Sequence, residues 1–547
     1  MIILRPDQQD IKARIRWGWN NGKRNMLAVM PTGGGKTVVF SDLVDDQNKI
    51  GARQCVMAHR NELIGQMSLH IARHGVKHRI IGPQSMVSQI IASHRRELMG
   101  QCFVNPSAIC AVAGVDTLIS RYDHLRDWGG QIDDWTIDEA HHVTKTNKWG
   151  KVVDLFPNAK GLGVTATPQR ADGQGLGRHH DGVFDDMVVG LSTRQLIDLG
   201  ALSDYEYVCP ASDFEIDEDA VAPSGDFSQQ RMKEASKKSH IVGDVVKEYI
   251  NRAFGRRHIV FATDVETAND IARQFGTFGI PAASVSAQTP SATRDEMVRR
   301  FKDGSIWVLV NVDLFGEGFD VPACFGVSLA RPTASLAVFL QQCGRALRWL
   351  DGKPFGLIID HVSNWKRHGL PDNPRFWTLD RRDKRAKKKP DPEDIPLTAC
   401  RNCSRPYERF RSVCPHCGHR PEVSPSGRGN IEQIDGDLIL LDRAKLAEMR
   451  RAAELEAPAD MMLRVSAAAG PFAGKHHMNA QIERIAAQKD LIDAIAHWAG
   501  QQRALQRPDD ETYRRFYLAL GVDVLTAQSL PRVDMEKLTT TIRSWLR

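Results

Sequence analysis

Short apolar runs alternate with segments of helical period over residues 1–205, and the same alternation returns over residues 233–372. The runs Met26–Met30 and Ile306–Val310 are bounded by polar residues, which is typical of buried strands. Strands that alternate with helices predict a parallel sheet with crossover helices. The pattern therefore predicts an α/β chain with two successive parallel-sheet lobes.

Other segments break this alternation. Residues 206–232 contain Pro, Gly and several acids and are predicted to be a linker. Residues 373–397 form a second, basic linker, in which positions 381–389 carry seven basic residues and one acidic residue. Such a run is either a solvated segment or a contact to a phosphate backbone. Residues 430–547 are predicted to be a mostly helical module, after a possible strand at Leu438–Leu441.

Composition places the chain among ordinary soluble proteins. A length of 547 residues predicts three or four domains, and the chain has 42% hydrophobic and 26% charged residues. No apolar run has the length of a membrane helix, and the N-terminus lacks a secretory pattern, so we expect a cytoplasmic protein without a membrane partner. The formal net charge of +6 is compatible with a polyanionic partner.

A glycine-rich segment follows the first predicted strand. The segment Pro31–Thr37 reads Pro-Thr-Gly-Gly-Gly-Lys-Thr and leads into a helical pattern. A strand–loop–helix unit aims backbone N–H groups at an anion, and glycines allow close approach to phosphates. Lys36 is predicted to reach the β/γ-phosphates and Thr37 to bind Mg²⁺. Met30 stands where the strict motif has glycine. The predicted nucleotide contacts in this loop are Thr32, Gly33, Gly34, Gly35, Lys36 and Thr37.

A pair of acids lies about a hundred residues later. Asp138 and Glu139 follow the β-prone run Trp135–Ile137, so they emerge at the carboxyl end of a strand, where α/β sheets bind ligands. Asp138 is predicted to hold Mg²⁺ and Glu139 to polarise the attacking water. Together with the phosphate loop, this pair predicts hydrolysis of a nucleoside triphosphate.

The order of motifs over the first 350 residues resembles that of the superfamily 2 helicases. The resemblance identifies Gln8, in Leu4–Gln9, as the adenine contact. It assigns nucleic-acid contacts to Arg60, within a motif Ia-like stretch, and to Thr117, within a motif Ib-like stretch that has Asp116 where the family often has Gln. Val164–Pro168 resembles motif III, which couples the ATP site to the nucleic acid.

The second half carries the complementary motifs. His258–Thr263 resembles motif IV, and Asn311–Pro322 resembles motif V, in which Gly318 and Asp320 contact the nucleotide. Gln341–Arg348 resembles motif VI. The resemblance makes Gln341 a nucleotide contact and Arg345 and Arg348 the arginine fingers, a task that suits the planar, permanently charged guanidinium.

The resemblance implies two tandem RecA-like lobes, 1–205 and 233–372, with ATP and Mg²⁺ between them. Within the family, the form of motifs III and VI is similar to a bacterial and phage branch that includes RadD, UvsW and the helicase subunits of type III restriction enzymes.

Four cysteines form two closely spaced pairs within residues 398–421. The pairs Cys400/Cys403 and Cys414/Cys417 have the spacing of a small zinc ribbon with a closed, structural Zn²⁺ site. His416 and His419 lie near enough to be rival ligands, and disulfides are the alternative to a metal.

Three functions remain open from the sequence. The first is an ATP-dependent translocase or helicase on single-stranded or branched DNA, acting in repair, recombination or phage replication. The second is an RNA helicase with the same core. The third is an ATPase switch or clamp that recruits a protein, such as a nuclease, through the ribbon or the C-terminal helices. The branch resemblance favours DNA.

Overall fold

The computed structural model divides into two units, residues 1–385 and 386–547. The residues that it describes are 3–58, 61–170, 172–217, 221–222, 225–314, 324–381, 397–408, 411, 413–420, 455–469, 471–505, 507, 509–520 and 522–546. In these ranges no helix is both long and apolar enough to cross a bilayer.

The first lobe is built on a seven-stranded parallel sheet with the order β3-β4-β2-β5-β6-β1-β7. Its strands are β1 Asn25–Val29, β2 Gln54–Ala58, β3 His78–Ile81, β4 Cys110–Gly114, β5 Asp134–Asp138, β6 Lys160–Thr165 and β7 Asp186–Val189. Its helices are α1 Pro6–Asn20, α2 Lys36–Lys49, α3 Asn61–Arg73, α4 Gln84–Glu97, α5 Val115–Ser120, α6 Tyr122–Gly129, α7 Lys148–Val153 and α8 Thr193–Asp198, with a 3₁₀ turn at Ala140–His142.

Side chains of the central strands alternate between two apolar layers. Along β1, Ala28 packs with α1 and α2 on one face, while Leu27 and Val29 pack with Trp135 on the other. Parallel strands covered on both faces are mostly apolar, and all five residues of β1, four of them apolar, are buried. In open α/β sheets ligands bind outside the carboxyl ends of the strands.

The second lobe is a six-stranded parallel sheet with the order β10-β11-β9-β12-β13-β8. Its strands are β8 Tyr205–Val208, β9 His258–Phe261, β10 Ala282–Val285, β11 Val308–Asn311, β12 Gly326–Leu329 and β13 Gly356–Asp360. Its helices are α9 Gln229–Lys238, α10 Ile241–Ala253, α11 Val265–Thr277, α12 Ser291–Lys302, α13 Leu336–Leu347 and α14 Asn364–His368. The two parallel sheets confirm the predicted α/β class with two tandem lobes.

The first predicted linker begins with a strand. Residues 206–208 belong to β8, which pairs in parallel with β13 at the edge of the second sheet. Tyr207 donates a hydrogen bond of 2.8 Å to the buried Asp360 at the end of β13. The prediction that the linker begins at residue 206 is wrong for residues 206–208. These residues form a strand because they pair with β13, about 150 positions later in the chain.

The second predicted linker begins with a segment packed on the first lobe, which we call the strap (residues 376–381). Leu379 is buried in the apolar layer around Trp135, and its carbonyl accepts a 2.9 Å hydrogen bond from the Gly177 N–H. Arg381 forms an ion pair with Asp181. The strap is therefore ordered structure; residues 382–396 of the predicted basic linker lie outside the described residues.

The second unit contains a small hairpin and a helical module. Its strands are β14 Leu397–Ala399 and β15 Pro406–Glu408, and its helices are α15 Pro458–Ala469, α16 Pro471–Ala504, α17 Asp509–Leu520, α18 Val524–Ser529 and α19 Arg532–Trp545. Leu491, Trp498 and Phe516 lie in the module's apolar core. An ion pair of 3.1 Å between Glu408 and Arg515 joins the hairpin to α17. The predicted strand Leu438–Leu441 lies outside the described residues.

Candidate active site

The glycine-rich loop connects the carboxyl end of β1 to the first residue of α2. Gly33 and Gly35 have φ values of 82° and 96°, a region that residues with a Cβ rarely adopt. The Gly34 N–H donates to the Pro31 carbonyl at 2.9 Å, which closes the turn. α2 then begins at Lys36, so its N-terminal N–H groups and the positive end of its dipole face the loop. The loop has the form of a phosphate-binding site.

Lys36 lies half-buried at the base of the loop. Its ammonium donates to the Met30 carbonyl at 3.3 Å, so the position that departs from the strict motif supplies a backbone acceptor. Burial lowers the pKa of Lys36, while the neighbouring Glu139 and Asp138 carboxylates act to raise it. A desolvated lysine beside the loop is placed to bind phosphate oxygens.

The acid pair lies at the carboxyl end of β5. Asp138 is the last residue of the strand, and Glu139 follows in the left-handed region with a φ of 50°. The Glu139 N–H donates to Asp138 Oδ1 at 2.8 Å, and both side chains are buried. A non-glycine residue with this φ stores strain, and such strain is concentrated at functional sites.

A polar chain joins the acid pair to the end of β6. His141 Nδ1 lies 3.4 Å from Glu139 Oε2 and 3.1 Å from Thr165 Oγ1. The Thr165 hydroxyl donates to the Thr167 carbonyl at 3.0 Å, and Arg170 donates to the His141 carbonyl at 3.0 Å. The predicted coupling motif after β6 therefore contacts the acidic motif through His141.

The predicted arginine fingers lie at the end of α13 in the second lobe. Arg345 is buried, and Arg348 is the residue that follows the last turn of the helix. Both guanidinium groups lie near enough to Lys36 to lower its pKa further, after the larger effect of burial. Lys36, Asp138, Glu139, Arg345 and Arg348 therefore form one charged group, although the two lobes supply them separately.

α13 lies directly on the phosphate loop. A Cβ built on Gly344 would lie 2.6 Å from the Thr32 Cβ, so only glycine allows this approach. A cavity of about 150 Å³ remains beside the contact, lined by Pro31, Thr32, Ala166 and Gly344 among others. The two lobes therefore meet at the phosphate loop.

Gln341, predicted to contact nucleotide, is buried on the same helix, with only 2% of its surface exposed. Neither its amide nitrogen nor its amide oxygen has a hydrogen-bond partner within the described residues. Buried amides are normally satisfied, so this side chain suits a polar ligand that enters the cleft. A triphosphate and its hydration shell fit that requirement.

Gln8, the predicted adenine contact, braces the phosphate loop. Its amide nitrogen donates to the Gly34 carbonyl at 3.3 Å, and its amide oxygen accepts from the Arg5 N–H at 3.0 Å. The Arg5 guanidinium also donates to the Gly34 carbonyl, at 2.9 Å. The role of Arg5 was not predicted, since nothing in the sequence indicates that its side chain meets a loop residue.

The predicted nucleic-acid and motif V residues are only partly described. Thr117 is half-buried on α5, just beyond the carboxyl end of β4. Arg60, Gly318 and Asp320 lie outside the described residues.

The two cysteine pairs come together in the second unit. The sulfur atoms of Cys400 and Cys417 are 3.6 Å apart, those of Cys403 and Cys414 are 3.7 Å apart, and all four lie within 4.8 Å of one another. A disulfide needs about 2.05 Å, whereas thiolates around a tetrahedral ion at about 2.3 Å lie roughly 3.8 Å apart. The spacing of the four sulfur atoms therefore suits Zn²⁺ and is longer than a disulfide bond. His416, a rival ligand in the sequence, instead has Nε2 3.2 Å from the Pro406 carbonyl.

Two family models match the lobes in order. Residues 1–170 match the model described as the res subunit of type III restriction enzymes, and residues 241–350 match the helicase conserved C-terminal domain.

Three curated relatives align with most of the chain. A 51.5 kDa protein of a Lactococcus phage is 32% identical over 416 residues, which cover 76% of this chain and 82% of the relative. IRC3 of Saccharomyces cerevisiae, provisionally named an ATP-dependent helicase, is 27% identical over 66% of this chain and 51% of its own length. The DNA 3'-5' translocase XPB2 of Sulfurisphaera tokodaii is 25% identical over 65% of this chain and 81% of its own length.

Proposed function

The chain belongs to the superfamily 2 helicases and is an ATP-hydrolysing enzyme, and on that premise we propose that it is a DNA translocase that hydrolyses ATP between its two lobes. The observation that carries the proposal is the packing of α13 on the phosphate loop at Gly344 and Thr32, which brings Arg345 and Arg348 of one lobe near Lys36 of the other. Each lobe alone lacks some of the charged groups, so hydrolysis depends on how the lobes meet.

The roles follow from position and chemistry. Lys36 and the N-terminus of α2 bind the phosphates of ATP, and the Thr37 hydroxyl and Asp138 would hold Mg²⁺. When bound, the ion would neutralise negative charge on the phosphates. Glu139, in its strained backbone conformation, orients the attacking water and accepts its proton. Arg345 and Arg348 stabilise negative charge on the transferring phosphoryl group.

Movement follows from the contact between α13 and the phosphate loop. ATP that bridges the two lobes favours the closed cleft, and loss of the γ-phosphate removes the anion that both sets of cations share. Opening and closing then changes the spacing of the nucleic-acid contacts, for which Thr117 and Arg60 are the proposed residues on the first lobe. The chain from Glu139 through His141 to Thr165 is the route by which the first lobe senses hydrolysis.

DNA is the proposed track. The aligned archaeal relative is named a DNA translocase, and the alignment spans 81% of that protein. One relative, aligned over 82% of its length, comes from a phage, so phage replication stands beside repair and recombination as a candidate setting.

We propose that Cys400, Cys403, Cys414 and Cys417 bind one structural Zn²⁺. Four thiolates complete a tetrahedral site, so the ion would organise the hairpin and leave no position for a reacting water. Because Arg515 binds Glu408, the ribbon and the C-terminal helices form one module for contacts to DNA or to a protein partner.

The test is ATP hydrolysis by the full chain alone and with single-stranded DNA, forked DNA or RNA. The proposal expects strong stimulation by DNA, with Lys36→Ala and Glu139→Gln inactive. Stimulation by RNA alone would replace the DNA assignment with an RNA helicase. Hydrolysis that is indifferent to every nucleic acid would replace the translocase with a switch that acts on a protein partner.

A further inference from the structure

Lys353, which lies beyond motif VI, binds the end of the helix that carries the arginine fingers. Its ammonium donates to the Cys324 carbonyl at 2.8 Å and to the Arg348 carbonyl at 3.2 Å, and it also donates to the Ala346 carbonyl. All three donors of one ammonium are thus used on backbone acceptors. Two of those acceptors are at the end of α13.

The end of a helix needs such partners. The last carbonyls of α13 lack N–H donors of their own helix, and they lie at the negative end of its dipole. Ser203 supplies hydrogen-bond donors to two of these carbonyls. Its N–H donates to the Leu347 carbonyl at 2.9 Å, and its hydroxyl donates to the Arg348 carbonyl at 3.3 Å. Lys353 adds the cation, and it also ties the helix end to Cys324, which precedes β12.

We propose that Lys353 is a positioning residue for ATP hydrolysis: it holds the last turn of α13 so that Arg345 and Arg348 face the phosphate loop. This inference rests on the proposed finger roles of the two arginines. Hydrolysis is sensitive to such placement, because an error of about 1 Å in a catalytic group can cost a hundredfold in rate. Lys353 itself needs no contact with ATP.

Protonation of Lys353 provides a second readout. Burial lowers its pKa to about 8. Lys353 lines an open pocket of about 440 Å³. The Cys324 thiol acts to raise the pKa of Lys353 against the larger effect of burial. The other charged groups that line this pocket or follow α13 are Arg256, Arg257, Lys302, Asp303, Arg348 and Asp351. Raising the pH through about 8 removes the charge and one of the three donors, so kcat should fall on the alkaline side.

The experiment compares the DNA-stimulated ATPase kinetics of Lys353→Met with those of Lys302→Met. Lys302 is exposed on the wall of the same pocket, so its variant removes one positive charge without touching α13. We expect Lys353→Met to lower kcat by about ten- to a hundredfold with little change in the KM for ATP. We expect Lys302→Met to match the wild type.

Lys353→Arg and Arg348→Ala complete the set. The guanidinium of Lys353→Arg stays charged at alkaline pH. This variant should therefore keep the wild-type kcat at neutral pH, and its kcat should not fall above about pH 8. A purely structural role of Lys353 would not predict this change in the pH profile. The inference is overturned if Arg348→Ala is inactive while Lys353→Met stays within about twofold of the wild type, or if the wild type and Lys353→Arg have the same pH profile. Full activity of Arg348→Ala would instead overturn the proposed finger role.

Discussion

Gly344 on α13 faces Thr32 of the phosphate loop so closely that a methyl group at position 344 would lie 2.6 Å from the Thr32 Cβ. One lobe supplies the glycine and the other the threonine, so the contact reports directly on closure of the cleft. The proposed arginine fingers, Arg345 and Arg348, are the next residue and the fourth residue along the chain. Any shift of α13 at Gly344 therefore moves both guanidinium groups relative to Lys36.

Gly344→Ala should lower the DNA-stimulated kcat by about tenfold or more, because the added methyl displaces α13 from the phosphate loop. The measurement is steady-state ATP hydrolysis, with thermal unfolding as the check on folding. Gly243→Ala is the matched control: it also adds a methyl group to a helix, but no described atom beyond its own helix lies within 4 Å of the added carbon. The control should be neutral in rate and more stable by about 0.5–1 kcal/mol. Equal rates for the two variants would show that α13 does not work through this contact.

Thr165→Val should separate hydrolysis from movement. The substitution keeps the shape of the side chain but removes the hydroxyl that meets His141 Nδ1 and the Thr167 carbonyl. We expect stability to fall by about 1 kcal/mol and the amount of DNA displaced per ATP hydrolysed to fall several-fold. The measurement pairs ATP consumption with strand displacement on the same forked DNA. A variant that keeps the wild-type ratio would contradict the proposed coupling.

Cys400→Ser and Cys414→Ser should each lose the bound metal, since three thiolates do not close the site that four provide. Metal analysis of the purified proteins should find one equivalent of zinc in the wild type and far less in these variants. Cys102→Ser is the control, because Cys102 is an exposed cysteine outside the cluster. The hairpin Leu397–Glu408 should also become sensitive to protease when zinc is removed. Zinc-free wild-type protein with an intact, protease-resistant hairpin would contradict the assignment.

Three buried histidines should make the protein less stable in mild acid. Burial lowers the pKa of His78 to about 4, and that of His258 and His361 to about 3, from the ordinary value of 6.5. Between each folded pKa and 6.5, the unfolded chain binds more protons than the folded chain. The stabilising contribution of the neutral histidines is therefore complete above about pH 6.5 and is lost as the pH falls. The loss is about 1.4 kcal/mol per pH unit for each histidine.

The check is the thermal unfolding midpoint between about pH 7 and pH 5. His258→Asn should have a lower midpoint at neutral pH, because the hydrogen bond of 2.9 Å to Ser328 is lost, but a shallower dependence on pH. His124→Asn changes an exposed histidine and should keep the wild-type slope. If the unfolding midpoint of His258→Asn depends on pH as steeply as that of the wild type, His258 does not contribute to the loss of stability in acid.

The sequence was most informative where a function depends on neighbours in the chain. The phosphate loop and Asp138 follow or end apolar runs, so their positions at the ends of β1 and β5 could be predicted from local pattern alone. The strand β8 and the strap could not be predicted in this way. Tyr205–Val208 is held by pairing with β13, and Leu379 is buried by the first lobe although it directly precedes a basic run.

Within the site too, residues in local motifs could be predicted, whereas contacts between residues distant in the chain could not. The arginines of α13 were predicted from their motif, but the approach of Gly344 to Thr32 and the contact of Lys353 with the end of α13 depend on how the lobes and turns pack. Arg5 is similar, because its bond to the Gly34 carbonyl spans 29 positions in the chain. Such contacts leave no periodicity or spacing in the sequence.

The most direct test of the account is the rate of ATP hydrolysis by Arg345→Ala with saturating single-stranded DNA, measured beside its affinity for nucleotide. Arg273→Ala, an exposed arginine paired with Asp270 on α11, is the control. If ATP is hydrolysed between the lobes, Arg345→Ala should bind nucleotide nearly as well as the wild type but hydrolyse it about a thousandfold more slowly. A DNA-stimulated rate equal to that of the control would contradict a site shared by the two lobes.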